Sequence, residues 1–374
     1  MKVIIFAHAK ENHTAPVKWA LEQAGYEVAC WGGLSWISEQ QASLLFDEDE
    51  QTEMNLGPFT VDPGDAVWIR RPGHPTYNPG VSEADRKFAE MEYRSFYHSL
   101  AYTLEMFPVW CVNKFSAARF IHNKAAQLFL ARACGLRVPG TLLSNSPGRI
   151  RELLARNSHR TIGKGFTPHV WQRGDEEGVS VTETFELTPD RLPADEVLTY
   201  APGIYQNMVD KEFDVRMVLM GHRLYAFALR NPKKALDWRQ DAGLGNIQVE
   251  IVATPPDVEK GILAFARKAN ICFGSVDFAV DKNGQWWFLE INEQGQFLWL
   301  DQFNPQAKTL EKFCSFITAP EGSVQPLEER EGLFPCFSDY IKVYRSLPEN
   351  QEPVDIAAAV AASPYMSRET GRAG

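Results

Sequence analysis

The sequence predicts a mixed α/β and α+β protein of two or three modules. Three observations carry this. A chain of 374 residues is long enough for that many modules, each with its own core. It opens on a strand–helix–strand pattern, Lys2–Ala7, Pro16–Ala24 and Glu27–Trp31, which implies a parallel sheet. Far downstream, two alternating apolar runs flank Asp281-Lys282-Asn283-Gly284, and Asn-Gly between such runs signals an antiparallel hairpin.

Composition narrows the class. Hydrophobic residues make up 44% and charged residues 23% of the chain, which suits a globular protein with a real core. The formal net charge of −10 argues against bulk nucleic-acid binding. No apolar run approaches the roughly 18 residues of a membrane span. The first residues lack a secretory pattern. Six cysteines are scattered without paired spacing, so they read as reduced thiols. A cytoplasmic protein with no nucleic-acid or membrane partner is expected.

In chain order, the loop after the first strand lacks Gly-x-Gly-x-x-Gly, so a Rossmann dinucleotide site is not expected. Asp65–Arg70 reads as a strand ending in Arg70-Arg71-Pro72, where open α/β sheets place ligands; a solvated basic loop is the plainer reading. Ala84–Leu104 is a long amphipathic helix. Val109–Val112 is a strand. Ser116 caps one helix running to about Cys134, with Phe120, Ala125, Leu128 and Phe129 as its apolar stripe. Lys124 lies near that stripe and by itself is a snorkelling lysine. Thr161–Phe166 is a strand with Lys164 between glycines, where a point charge can approach phosphate closely. Gly174–Gly178 is a polar loop, either a flap or an ordinary hairpin. Asp214 and Arg216 alternate onto one strand face, as a salt bridge or a site. Pro255–Ala269 is an amphipathic helix leading into the hairpin. Beyond residue 318 the chain is proline-rich, with a helix-like piece at Phe337–Tyr344 and a C-terminal end expected to be disordered.

The hairpin carries the chemistry. A two-residue Asn283-Gly284 loop puts Asp277 opposite Glu290, with Asn292 on the same face; a four-residue loop keeps that parity and a three-residue loop breaks it. Two carboxylates and an amide suit Mg²⁺, which takes hard oxygen ligands and shares them with nucleotide phosphates. A plain polar solvent face is the alternative.

The string Phe-Leu-Glu-Ile-Asn followed by Gly295-Gln296-Phe297 resembles the metal-binding end of the ATP-grasp ligases. With Leu298-Trp299 it is similar to the graspetide (microviridin-type) peptide macrocyclases, relatives of the ribosomal-protein glutamate ligases. Val-Trp-Ile-Arg-Arg-Pro resembles their N-terminal domain. Asn-Lys-Ala-Ala-Gln with Gly-Leu-Arg-Val-Pro-Gly-Thr-Leu resembles the entry to their nucleotide domain. The resemblance spans about residues 1–318 and implies an ATP-grasp fold. Its parts are an N-terminal pre-ATP-grasp domain (1–114), a small central subdomain (115–205) and a C-terminal antiparallel-sheet subdomain with the metal site (206–318). Residues 319–374 form an extension. Glycine replaces the family's usual proline after Lys164, and Asn207 replaces its hinge glutamate.

The resemblance further implies ATP with one or two Mg²⁺ on Asp277, Glu290 and Asn292. Lys124 and Lys164 would contact phosphate. Gln206, Asn207, Met208 and Val209 would form the adenine hinge, and Asp214 would hold the ribose. Arg216, Arg239 (in Asp237-Trp238-Arg239) and Arg230 would stabilise the transferred phosphoryl group, with Asn246 nearby. The implied activity is ATP-dependent activation of Asp or Glu side chains of a ribosomally made precursor peptide with a leader segment, closing ω-ester or ω-amide links. Joining a free amino acid to a peptide or small molecule, or an inactive nucleotide- and peptide-binding module, are the alternatives. A homodimer stays open.

Overall fold

The computed structural model describes residues 1–346 except 50, 74, 79, 157–159, 168–169, 174–177, 182–183, 232–246, 320–329 and 331. For 170–173 and 178–181 it describes the backbone alone. Arg239, Asp237, Trp238, Asn246, the loop 174–177 and residues 347–374 lie outside the described residues.

The first sheet has the order β2-β1-β6-β7 and is parallel throughout, from β1 (Lys2–Ala7), β2 (Glu27–Trp31), β6 (Ala66–Arg71) and β7 (Trp110–Val112). The run Val3–Ala7 is buried on both faces, which is why it reads as continuously apolar. Helix α1 (Thr14–Gln23) covers one face through Val17, Ala20 and Leu21, and α2 (Glu83–Leu104) covers the other through Leu100, Ala101 and Leu104. A three-stranded meander of β3 (Ala42–Phe46), β4 (Thr52–Leu56) and β5 (Phe59–Thr60) joins the same module, and no sequence pattern announced it.

The expected single helix from Ser116 to Cys134 is two helices, α3 (Phe115–Ile121) and α4 (Lys124–Ala133). Asn123 breaks them by capping α4, its side chain accepting from the Ala126 N–H at 3.0 Å. Ser116 lies inside α3 and bonds to Glu105. The predicted apolar stripe is not the buried face: Phe120 and Phe129 are exposed, whereas Gln127 and Ala131 are buried.

The small sheet has the order β12-β9-β13-β8, from β8 (Thr141–Ser144), β9 (Thr161–Lys164), β12 (Phe185–Leu187) and β13 (Gly203–Asn207). Helices α5 (Pro147–Arg156) and α6 (Asp195–Tyr200) pack with it through Ile150, Leu154 and Leu198. The hairpin β10 (Val170–Arg173) and β11 (Gly178–Val181) stands apart as a two-stranded ribbon.

The third sheet is antiparallel, in the order β16-β15-β14-β17-β18. It comprises β14 (Lys211–Met220), β15 (Arg223–Arg230), β16 (Gln248–Val252), β17 (Phe273–Asp281) and β18 (Trp286–Asn292). Helix α7 (Pro256–Ala269) backs one face, burying Val258, Ile262, Phe265, Ala266 and Ala269 against Met217, Leu219, Val276 and Phe278. Two helices follow, α8 (Trp299–Phe303) and α9 (Thr309–Ile317). The described part of the extension, with α10 (Phe337–Ser346), is not an appendage. Phe334 and Phe337 belong to the cluster that holds Val3, Ile5, Phe297 and Phe313, and Tyr340 lies 5.7 Å from Trp19 ring to ring.

The start of α1 depends on Glu11. Its Oε2 accepts from the His13 and Thr14 N–H groups at 2.9 and 2.8 Å, while Oε1 accepts from the fully buried Arg70 at 3.2 Å. Burial alone would raise this carboxyl's pKa, but Arg70, His13, the Thr14 N–H and Arg71 together hold it at about 2. A depressed folded pKa means that the stabilisation is present above the unfolded value of 4.5 and fades as pH falls toward 2. Glu11→Ala leaves Arg70 buried without its carboxylate and is expected to cost roughly 3–5 kcal/mol in urea unfolding at neutral pH. The gap between wild type and variant is expected to shrink as the pH is lowered through that window. An unchanged gap would mean that the carboxylate's charge is not what stabilises this end of the helix.

Candidate active site

Arg216, Asp277 and Glu290 stand directly opposite one another on β14, β17 and β18, and so share a sheet face. Asn292 shares it two residues on, opposite Ser275. The face is the one opposite α7, and its Val218, Met220 and Phe273 share one buried cluster with Phe313 and Phe316 of α9. The expected pairing of Asp277 with Glu290 is present, but the turn is not the expected one. Asp281 and Gln285 close a three-residue loop, with Asp281 N–H donating to the Gln285 carbonyl at 3.1 Å and Gly284 at φ +74°. Such a loop shifts the parity by one. A bulge at Leu289, between the Asp277–Glu290 and Phe278–Phe288 pairs, shifts it back.

Each carboxylate of the row has a cation. Lys124 Nζ donates to Glu290 Oε2 at 2.6 Å, and Arg216 Nε lies 3.1 Å from Asp277 Oδ1. Lys124 is the first residue of α4, so the break at Asn123 is what brings it to the row. Its snorkelling reading is set aside, since its ammonium meets Glu290. Two carboxylates, one amide and two cations make a charge-balanced cluster of hard oxygen donors. That donor set fits Mg²⁺, which would take the carboxylates and release Lys124 and Arg216 toward an anion. No group of three or more His, Cys, Asp or Glu side chains able to hold a metal occurs among the described residues. The fit is therefore to an ion that completes its shell with phosphate or water.

The remaining candidates are distributed around this row. Asp214 is buried and receives Lys211 Nζ at 2.7 Å. Lys164 lies on β9 beside Ile204, and Gln206 donates to Thr141 Oγ1 at 2.8 Å. In the expected hinge, the Asn207 N–H already donates to the Gly140 carbonyl at 2.8 Å and the Met208 N–H to the Arg160 carbonyl at 3.0 Å. Backbone reading of a base there narrows to the Met208 carbonyl and the Val209 N–H. Arg230 sits at the end of β15, half-exposed. It donates to Glu250 at 2.7 Å and stacks 4.6 Å over the Phe213 ring, away from the carboxylate row.

Three residues around the row were not singled out by the sequence reading. Gln127 is 1% exposed and bonds to β18. Asn113 accepts from the Cys272 and Phe273 N–H groups at 2.8 and 3.0 Å and donates to the Phe273 and Glu293 carbonyls. His13 Nε2 accepts from the Phe297 N–H at 3.0 Å. Burial, with Arg70 nearby, pushes the His13 pKa well below 6.5, so this imidazole is a neutral acceptor. For Gln127 the signal is a polar residue inside an otherwise apolar stretch; His13 lies in the polar run Lys10–Thr14 and carries no such signal. The Gly295-Gln296-Phe297 segment is built inward as well. A Cβ on Gly295 would come within 2.1 Å of Ser275 Oγ, and Phe297 is fully buried against Phe313.

No protein-family model matches the chain, and no curated protein matches it. Solved structures do. A RiPP-associated ATP-grasp ligase of Chryseobacterium gregarium, in complex with ADP and a leader and core peptide, aligns at 24% identity and a TM-score of 0.72. The alignment covers 84% of this chain and 96% of that one. Macrocyclase MdnC of Microcystis aeruginosa MRC, bound with precursor peptide MdnA, aligns at 21% identity over 82% and 96% of the two chains, with a TM-score of 0.65. The ATP-grasp ligase PsnB, complexed with a phosphomimetic variant of its minimal precursor, Mg and ADP, aligns at 17% identity over 83% and 97%, with a TM-score of 0.62. This chain has the ATP-grasp fold of those peptide-modifying ligases over nearly their whole length.

Proposed function

We propose that this chain is an ATP- and Mg²⁺-dependent ligase that joins side chains of a ribosomally made precursor peptide. An Asp or Glu carboxylate of the peptide takes the γ-phosphoryl group of ATP, releasing ADP. A hydroxyl or amine of the same peptide then displaces phosphate, leaving an ω-ester or ω-amide. The observation that carries this reading is the row Arg216–Asp277–Glu290 with Lys124 closing it, in a fold shared with ligases solved with ADP and precursor peptides.

A carboxylate does not react with an alcohol or amine at neutral pH, so the reaction needs a phosphorylated intermediate. Phosphoryl transfer needs charge neutralisation and positioning more than covalent help. Asp277, Glu290 and Asn292 would hold Mg²⁺, which supplies charge neutralisation between the phosphates. Lys124 and Arg216 hold the two carboxylates apart from one another until then. Released, Lys124 offers a point charge to phosphate, and Arg216 offers a planar fork to a phosphoryl group or an acceptor carboxylate. Lys164 and the Met208–Val209 backbone serve the nucleotide, and Asp214 its ribose. Arg239 is proposed beside Arg216 on the resemblance of Asp237-Trp238-Arg239. Arg230 braces β15 against β16 through Glu250. We place the protein in the cytoplasm, where ATP is available.

Incubation with ATP, Mg²⁺ and a precursor peptide carrying Asp or Glu together with Ser, Thr or Lys side chains is expected to form ADP and to lower the peptide mass by one water per link. Addition of a free amino acid to the peptide would support that alternative ligase instead, and the absence of ADP with any carboxylate substrate would leave a binding module. Glu290→Gln keeps the shape but removes a ligand charge, and is expected to lower kcat by about 10²–10³ with little change in Tm. Near-normal turnover would remove the metal assignment. Lys124→Met is expected to weaken nucleotide binding in calorimetry without unfolding the protein, because its partner Glu290 is only part-buried and can rehydrate. Unchanged affinity would return Lys124 to a structural role.

A further inference from the structure

The carboxylate row lies at the open edge of a sheet. Among the described residues β18 is the outermost strand of the order β16-β15-β14-β17-β18, met on its outer side by an isolated bridge from Trp287 to Arg137, so its outward peptide groups lack a full neighbouring strand. Edge strands are weakly held and prone to slip, and a slip of one residue would carry Glu290 and Asn292 to the α7 face. The peptide groups between these two residues belong to Ile291. Gln127 takes both of them: its Oε1 accepts from the Ile291 N–H at 3.0 Å, and its Nε2 donates to the Ile291 carbonyl at 2.9 Å. The same Nε2 donates to the Ile121 carbonyl at 2.8 Å, which ties the end of α3 to the strand. The side-chain amide thus stands where a neighbouring strand's peptide group would be.

Gln127 is one helical turn after Lys124 on α4. One helix therefore grips β18 at two adjacent points of different character. The Lys124–Glu290 contact joins two part-exposed side chains, and a cation can displace it. The Gln127–Ile291 contact is buried, joins side chain to backbone, and gains nothing from letting go.

We propose that Gln127 is a positioning residue for the metal site. It fixes the backbone between Glu290 and Asn292, so that both stay aimed at the cation after Lys124 has released Glu290 to it. The inference rests on the reading of Asp277, Glu290 and Asn292 as Mg²⁺ ligands, and adds the device that holds two of them in register. Residues that orient metal ligands without touching the metal typically contribute 10–100-fold in affinity.

The test uses the full chain, with Mg²⁺ and ADP as probes. Gln127→Leu keeps the volume and loses both bonds to Ile291. It is expected to bind ADP without metal as wild type does, and to need roughly 10–100-fold more Mg²⁺ for the metal-dependent gain in ADP affinity seen by calorimetry. Excess Mg²⁺ is expected to restore that gain. Gln127→Glu retains only the acceptor for the Ile291 N–H, and is expected to fall between the two. A folded Gln127→Leu protein with wild-type Mg²⁺ dependence overturns the proposal, since a purely structural role lowers Tm alone. If wild type binds ADP but Mg²⁺ adds nothing to it, the metal reading fails in the wild type itself and takes this proposal with it. Should neither variant fold, amide exchange in the wild type decides. An Ile291 N–H protected as strongly as the central strand supports the clamp, and rapid exchange overturns it.

Discussion

Every polar group of the site depends on the register of β17 against β18. Asp277 and Glu290 meet because a three-residue loop and a one-residue bulge cancel. Remove either and β18 turns over, placing Glu290 against Phe265 and Phe278 and aiming apolar side chains at Asp277. The turn is held accordingly. Asp281 accepts from the Asn283 and Gln285 N–H groups and from Trp287 Nε1, three bonds that fix where the loop ends. These donors, the Trp287 Nε1 first among them, keep the Asp281 carboxyl below its ordinary pKa, so it stays an acceptor across the neutral range. The Arg137 carbonyl then accepts from the Phe288 N–H, and Gln127 takes Ile291, so the outer edge is fastened on both sides of the bulge.

The row is also constrained by charge. Asp277 and Glu290 face each other across two strands, and like charges at that separation repel. Arg216 and Lys124 relieve this without a metal, one from the neighbouring strand and one from a helix terminus. Arg216 is buried by the sheet and cannot retreat far, whereas Lys124 is about a quarter exposed and can swing. Of the two pairs, Lys124–Glu290 is therefore the easier to separate, because water can take the lysine's place and not the arginine's.

Much of this was legible in the sequence, and the exceptions have physical causes. β1, α1, β2, α2 and α7 follow from apolar periodicity, which burial imposes directly. The pairing of Asp277 with Glu290 was read correctly from a loop that does not exist, because periodicity records the parity of a hairpin and not the way it is reached. The break at Asn123 was hidden by an apolar pattern that continues across it. Phe120 and Phe129 fitted a helical stripe, yet the buried face of α4 carries Gln127, whose partner Ile291 lies 164 positions away. A side chain whose role is to satisfy a distant backbone leaves no local period. The Gly295-Gln296-Phe297 segment, read as a mark of peptide chemistry, is core: Gly295 makes room for Ser275, and Phe297 joins the first module to the last.

That junction is why the first and third sheets act on one site. Asn113, at the end of β7, binds the backbone on both sides of the carboxylate row, at Phe273 before β17 turns into it and at Glu293 after β18 leaves it. His13 takes the Phe297 N–H four residues further on. Two side chains of the parallel module thus bracket β17 and β18. The extension adds a second layer to this seal, since Arg330 joins Tyr26 to Thr318 and Phe334 stacks on Tyr26. The alignment with the Chryseobacterium ligase leaves 16% of this chain uncovered while taking in nearly all of that one. In the extension, α10 packs across α1 and α8. The described part of the extension thus adds to the contact between modules, while Arg216, Asp277, Glu290 and Asn292 all come from β14, β17 and β18.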